Sequence, residues 1–192
     1  MDNIKQWLSY HQQVKLIRQY AKPDDRILII GNEDGLIKPY LETKFGYKSI
    51  ITLDINNKNN PDIVMDIKNI NKLKLDFDLI VCCEVLEHLP FKHFEEILTN
   101  LSMMTNYLIL SLPVNGVSLT FSFTAWLSRI FCFNIQLPIK TKIYDQHYWE
   151  INKNVNMVDI INIISKYYKI LKAFNYKYNP YHYFLVLKTN KR

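Results

Sequence analysis

The sequence predicts an α/β domain built on a mostly parallel sheet, and three observations predict it. Short runs that are apolar except for one charged residue each, Arg26 to Ile30 (Arg26) and Phe77 to Cys83 (Asp78) above all, read as strands buried on both faces. Such runs alternate with amphipathic helical stretches, an order that requires a parallel sheet with right-handed crossovers. The chain then finishes on two strand-like runs with no helix between them, so its final pair must be antiparallel.

Taken in order, Trp7, Tyr10, Val14, Ile17 and Tyr20 recur at helical spacing, and residues 1–22 read as an N-terminal helix. Lys22-Pro23-Asp24-Asp25 ends it and the first strand, Arg26 to Ile30, follows. Gly31 to Gly35 is a turn. Leu36 to Phe45 is a helix with Gly46 as its left-handed cap. Ser49 to Leu53 is a strand ending on Asp54, and Asp62 to Met65 a short one ending on Asp66. Phe77 to Cys83 and Tyr107 to Leu112 are strands flanking a helix over Phe91 to Met104. Val117 to Phe133 is expected as a helix or lid. Val155 to Tyr167 is a helix with Val158, Ile161 and Ile164 on one face. Tyr168 to Tyr176 and Tyr183 to Lys188 are strands joined by a turn at Tyr178-Asn179-Pro180-Tyr181. No repeat or linker interrupts the 192 residues, which read as one domain, with 117–150 as a lid or acceptor-binding insertion.

Hydrophobic residues at 48% and charged residues at 22% fit a soluble globular chain and exclude a disordered one. The net charge of +6 comes from scattered lysines, as on a solvated surface, and forms no dense nucleic-acid footprint. Three cysteines without disulfide or zinc spacing fit a reducing, cytoplasmic compartment and give no reason to expect a metal. No signal-peptide pattern opens the chain. The apolar stretch 117–133 is interrupted by Ser118, Thr120, Ser122, Thr124, Ser128 and Arg129. It falls short of the roughly 20 residues of a span. Peripheral membrane contact through it stays open, and the oligomeric state is not legible.

The chemistry gathers at the strand ends. In a doubly wound sheet, ligands bind at the carboxyl ends of the strands. Here the first strand ends in Gly31-Asn32-Glu33-Asp34-Gly35, the second in Asp54, the third in Asp66 and the fourth in Glu84. Glycines allow close backbone approach and positive φ. A turn leading into a helix offers free N–H groups to a carboxylate. An acid at the second strand end can grip both hydroxyls of a ribose. Asp66 can accept from an adenine amino group while the Ile67 amide donates to the ring. Each feature alone is equally a cap or turn former; a nucleoside with an amino-acid tail would use all four at once.

These residues resemble a known family. Ile27 to Gly35 is similar to the first motif of class I S-adenosylmethionine (SAM)-dependent methyltransferases, and Leu53-Asp54-Ile55 to the second. Phe77 to Pro90, with Glu84-Val85-Leu86-Glu87-His88, resembles the fourth-strand motif of the small-molecule, type 11-like branch. Pro61 to Asp66, Asp145 to Ile151 and Asn179 to His182 add to the likeness. The resemblance implies a Rossmann-like fold with helices on both faces of a seven-stranded sheet, parallel except for its last strand. It implies SAM as cofactor, with Gly31, Asn32, Glu33 and Gly35 near the methionine part and Asp54 and Ile55 at the ribose. Asp66 and Ile67 would meet adenine, and Cys83, Glu84 and His88 would line the wall by the sulfonium. The first motif departs from the pattern: Ile29 stands for an acid and Glu33 for a glycine. Glu33 then turns outward or replaces the missing acid at the SAM ammonium.

Methyl transfer needs in-line alignment and water exclusion more than acid–base help. If the acceptor must lose a proton, His147 and His88 are the candidates by type, since imidazole titrates near neutrality. The expected acceptor is a small molecule, lipid or glycan. A nucleic acid is disfavoured, because Glu84-Val85-Leu86 stands where adenine methyltransferases carry an Asn/Asp-Pro-Pro-Tyr-like motif. Two other readings stay open: a degenerate SAM-binding module without catalysis, and a nicotinamide-dependent oxidoreductase, which shares the βαβ start.

Overall fold

A computed structural model of the chain describes residues 4–31, 35–124, 130–137 and 141–190. Its centre is a seven-stranded sheet of order β3-β2-β1-β4-β5-β9-β8. The strands are β1 (Arg26–Ile30), β2 (Ser49–Asp54), β3 (Ile63–Val64), β4 (Phe77–Cys83), β5 (Thr105–Pro113), β8 (Tyr168–Tyr176) and β9 (Asn179–Thr189). β1 to β5 pair in parallel; β9 runs antiparallel to both β5 and β8. Six strands therefore point one way and the last opposes them, as expected.

Side chains alternate across a strand, so the apolar runs feed both faces. Ile27, Ile29, Leu79, Val81, Ile109, Phe184 and Val186 form a core beneath helices α1 (Ile4–Tyr20) and α2 (Ile37–Phe45). Leu28, Ile30, Ile80, Cys82, Leu108, Leu110, Leu185 and Leu187 form a second beneath α3 (Phe94–Met104) and α4 (Met157–Tyr167). Gly46 caps α2 at φ +71°, donating to the Glu42 carbonyl. Among the described residues no helix is long and apolar enough to cross a membrane, and Cys82 and Cys83 are free thiols.

Four sequence expectations need correction. The described residues of 117–133 hold no helix. Val117–Thr124 (β6) and Ile130–Leu137 (β7) form a separate antiparallel pair, in register from Val117 opposite Leu137 to Thr124 opposite Ile130. The Ser and Thr residues that seemed to interrupt an apolar helix fall at every second position, which is the strand period. Trp126 and Arg129 lie outside the described residues. α4 buries Ile160 and Ile164 and leaves Val158 59% exposed. With apolar residues at 158, 160, 161, 163 and 164, several faces fit the pattern and packing selects one. α1 buries Val14, Leu16 and Ile17 and leaves Trp7 on the surface. Finally, the last turn is the two residues Lys177 and Tyr178, because Asn179 already pairs with Tyr176.

Candidate functional site

The strand order reverses between β1 and β4, where a doubly wound sheet opens its binding crevice. Gly31 ends β1 at φ +83°, and its amide donates to the Leu53 carbonyl. A Cβ on Gly31 would stand 2.6 Å from Cγ2 of Val85, so the backbone turn presses directly against the residue after Glu84. Gly35 also takes positive φ, at +61°. Asn32 and Glu33, assigned to the same turn, lie outside the described residues.

Asp54 is buried at the end of β2. Its Oδ1 accepts the Asn56 amide at 2.8 Å and its Oδ2 the Asn59 side-chain amide at 3.0 Å, which fixes the carboxylate's direction. Ile55, next along, is 67% exposed. Asp66 caps the short turn that follows β3: it accepts the Lys68 amide at 2.9 Å and pairs with the Lys68 ammonium at 3.0 Å. Ile67 is buried. The capping role is the simpler of the two readings open for Asp66.

At the end of β4, Cys83 is half-buried and its thiol pKa is pushed up, by burial first. Glu84 adopts φ +54°, a left-handed conformation that costs a non-glycine residue about 1–2 kcal/mol. The conformation is held by Ser111, whose hydroxyl donates to Glu84 Oε1 at 2.7 Å, and by His182, whose Nε2 lies 3.5 Å from Oε2. The other ring nitrogen of His182 meets Ser9 of α1 at 2.9 Å.

The segment ahead of α4 docks on the turn that follows Glu84. The Tyr148 amide donates to the Glu87 carbonyl at 2.8 Å, Trp149 Nε1 to the Leu89 carbonyl at 2.9 Å, and His88 Nδ1 meets the Gln146 carbonyl at 3.0 Å. Trp149 seals the joint against Phe91 and Phe94. This docking sets the rings of His88 and His147 edge to face, centroids 4.9 Å apart.

Glu150 is 1% exposed and collects donors from Asn115 at 2.6 Å, the Tyr144 amide at 3.0 Å, Tyr181 at 2.8 Å and His147 Nδ1 at 3.1 Å. Burial alone would raise its pKa; these donors outweigh it and hold the carboxyl below the usual range. Burial lowers the His147 pKa, with Glu150 opposing. A neutral His147 beside an ionised Glu150 must carry its proton on Nδ1, since the carboxylate only accepts. The Gln146 carbonyl imposes the same tautomer on His88. In that tautomer the ring keeps its lone pair on Nε2.

Glu87 completes the group. It is fully buried, and neither carboxylate oxygen has a hydrogen-bond partner among the described residues. Burial first, then the charge of Glu84, raises its pKa well above the ordinary value. One ligand-type atom from each of Glu87, His88 and His147 lies within 4.8 Å of the others. This cluster was not expected from the sequence, because cysteine spacing, the usual sign of a metal site, does not point to it. Its signal was the Glu84-x-x-Glu87-His88 spacing together with His147, and the roles of Glu150, Tyr181, Asn115 and His182 were likewise not assigned.

No family model matches the sequence, and none of the curated proteins matches it. Solved structures do. Magnesium protoporphyrin IX methyltransferase from Synechocystis, with bound SAM, is similar at TM-score 0.58 and 14% identity, over 95% of this chain and 77% of that one. A Pyrococcus horikoshii protein, PH0226, is similar at TM-score 0.60 and 12% identity, over 98% and 93%. The small RNA methyltransferase HEN1 is similar at TM-score 0.66 and 17% identity; all of this chain is covered, but it spans only 27% of that one. The fold is that of the class I methyltransferases. In this chain the opposing strand, β9, lies between β5 and the edge strand β8. A nicotinamide-binding sheet of order 3-2-1-4-5-6 has no such strand, so the oxidoreductase reading loses its topological support.

Proposed function

We propose that this protein transfers a methyl group from SAM to a small-molecule, lipid or glycan acceptor. The observation that carries the reading is the crevice at the strand reversal. There Gly31, with no room for a side chain, meets Val85 just beyond the β4 end, and Asp54 stands fixed at the end of the neighbouring strand. Neighbours of the same fold crystallised with SAM or S-adenosylhomocysteine support the cofactor.

In this reading the Gly31 to Gly35 turn, with Asn32 and Glu33, receives the methionine part. Asp54 and Ile55 receive the ribose, Asp66 and the Ile67 amide the adenine. Cys83, Glu84 and His88 form the wall beside the sulfonium. SAM needs no further activation, because its sulfonium is the leaving group; the protein aligns acceptor, methyl and sulfur and excludes water. The free Nε2 atoms of His147 and His88 are placed to take a proton from an acceptor hydroxyl or amine. Residues 117–150 contribute the acceptor side, with the β6–β7 pair as its outer part.

Equilibrium binding of SAM and of NAD by calorimetry tests the cofactor. SAM is expected to bind in the micromolar range and NAD not at all; NAD binding alone would overturn the reading. Transfer of labelled methyl groups to lipid, glycan and small-molecule extracts then tests catalysis. SAM binding without transfer to any extract would favour a non-catalytic module.

A further inference from the structure

We propose that Glu87, His88 and His147 form a binding site for a single first-row divalent transition-metal cation, of the Zn²⁺ or Mn²⁺ kind. The first ground is Glu87. A carboxylate with no exposure and no hydrogen-bond donor is costly to bury, and native structures rarely leave one so. Among the described residues no lysine or arginine forms an ion pair with Glu84, Glu87 or Glu150. The only ion-pair partners of these acids among those residues are imidazoles, His147 for Glu150 and His182 for Glu84. A cation supplies the missing partner.

The second ground is the pair of imidazoles. Each hands its Nδ1 to an oxygen that can only accept: the Gln146 carbonyl for His88 and the Glu150 carboxylate for His147. That is the outer hydrogen bonding by which metal-bound histidines are oriented and made more basic. Glu150 is itself held by Asn115, Tyr144 and Tyr181, so the His147 ring is fixed from two layers away.

The third ground is spacing and donor type. Ligand atoms about 2.0–2.2 Å from a shared cation lie roughly 3–4 Å apart. One ligand-type atom of each of the three side chains already lies within 4.8 Å of the other two. Two imidazoles and one carboxylate suit Zn²⁺, Mn²⁺ or Co²⁺ better than Mg²⁺ or Ca²⁺, which prefer all-oxygen shells. Three protein ligands also leave a coordination position for water or an acceptor oxygen. A cation here takes both Nε2 lone pairs, so it replaces the imidazoles as the means of acidifying a hydroxyl.

The test requires neither SAM nor an acceptor, so it stands or falls apart from the methyl-transfer reading. Metal-stripped full-length protein is titrated with Zn²⁺, Mn²⁺, Mg²⁺ and Ca²⁺ by calorimetry, and bound metal is counted by mass spectrometry after dialysis. One equivalent of Zn²⁺ or Mn²⁺ is expected, at least tenfold tighter than Mg²⁺ or Ca²⁺. Glu87→Gln and His88→Ala should each weaken it tenfold or more. No stoichiometric uptake by the wild type would overturn the proposal. So would affinity lost in His88→Ala but unchanged in Glu87→Gln, which would describe an incidental imidazole pair. Should Glu87→Gln fail to fold, Glu87→Asp, which shortens the carboxylate's reach, replaces it with the same expected loss.

Discussion

Tyr181 donates its hydroxyl to Glu150 Oε1 over 2.8 Å, joining the start of β9 to the segment ahead of α4, and the same hydroxyl stands 3.1 Å from His147 Nδ1. One phenol thus helps to fix both the acid and the imidazole it orients. Tyr181→Phe keeps the ring and removes the bond. A buried hydrogen bond to a carboxylate is worth about 1.5–3 kcal/mol, and the variant should melt correspondingly lower while its SAM affinity stays unchanged. An unaltered melting temperature would show that Glu150 is held well enough without it.

Gly31 is expected to tolerate no side chain. Gly31→Ala places a Cβ in left-handed backbone, at about 1–2 kcal/mol, and 2.6 Å from Val85 Cγ2. Overpacking against a branched side chain adds about 1–3 kcal/mol. In the double variant with Val85→Ala the second contribution should vanish and the first remain. Denaturant unfolding of the four proteins of that cycle reads the difference directly; strict additivity would mean the contact is not felt.

Asp62 ties the approach to β3 back to β2 and α2. Its Oδ2 accepts the Thr52 amide at 2.7 Å and the Thr52 hydroxyl at 2.9 Å, and Lys38 pairs with it at 2.8 Å. Burial would raise its pKa, but Lys38 and the two Thr52 donors prevail and lower it. Its stabilisation is therefore complete above the unfolded value of about 3.9 and is lost as pH falls through the lowered folded value. Asp62→Asn should cost about 1 kcal/mol at pH 7, given the partial exposure of the pair. The gap from wild type should close by about pH 2. A gap that persists in acid would assign the effect to shape rather than charge.

Asp54→Ala should weaken SAM binding by several-fold to a hundredfold, the loss of a charged hydrogen-bond pair worth about 1.5–3 kcal/mol. Because Asp54 also orders Asn56 and Asn59, Asp54→Asn is the companion variant. Calorimetry on both, with folding checked by circular dichroism, distinguishes a lost ligand contact from a loosened loop. Full affinity in a folded Asp54→Ala protein removes the residue from the cofactor site.

The parallel core was legible because consecutive apolar residues, Ile27 to Ile30 in β1 and Leu79 to Cys83 in β4, are the signature of strands buried on both faces. The β6–β7 pair was misread because attention to hydrophobic content hid a period of two in Ser118, Thr120, Ser122 and Thr124. The strand-end acids could be named from order alone. What Glu84 does could not, since it depends on Ser111 and His182, distant in sequence. Glu87 and Glu150 have the same side chain and similar burial, yet among the described residues Glu150 gathers four donors and Glu87 none.

The placing of Tyr181 and His182 side by side on β9 has a consequence for how the site withstands change. Neighbours on a strand face opposite ways, and here one turns to Glu150 and the other to Glu84. A slip of a single residue would exchange phenol for imidazole at both carboxylates at once. The alignment that prevents this is the ladder of β9 against β5, Tyr183 opposite Leu112 and His182 opposite Pro113. The sheet therefore serves as a ruler for the chemistry at its edge. Added residues in the Lys177–Tyr178 turn leave that ruler intact, whereas one residue inserted between Tyr181 and Tyr183 shifts its scale.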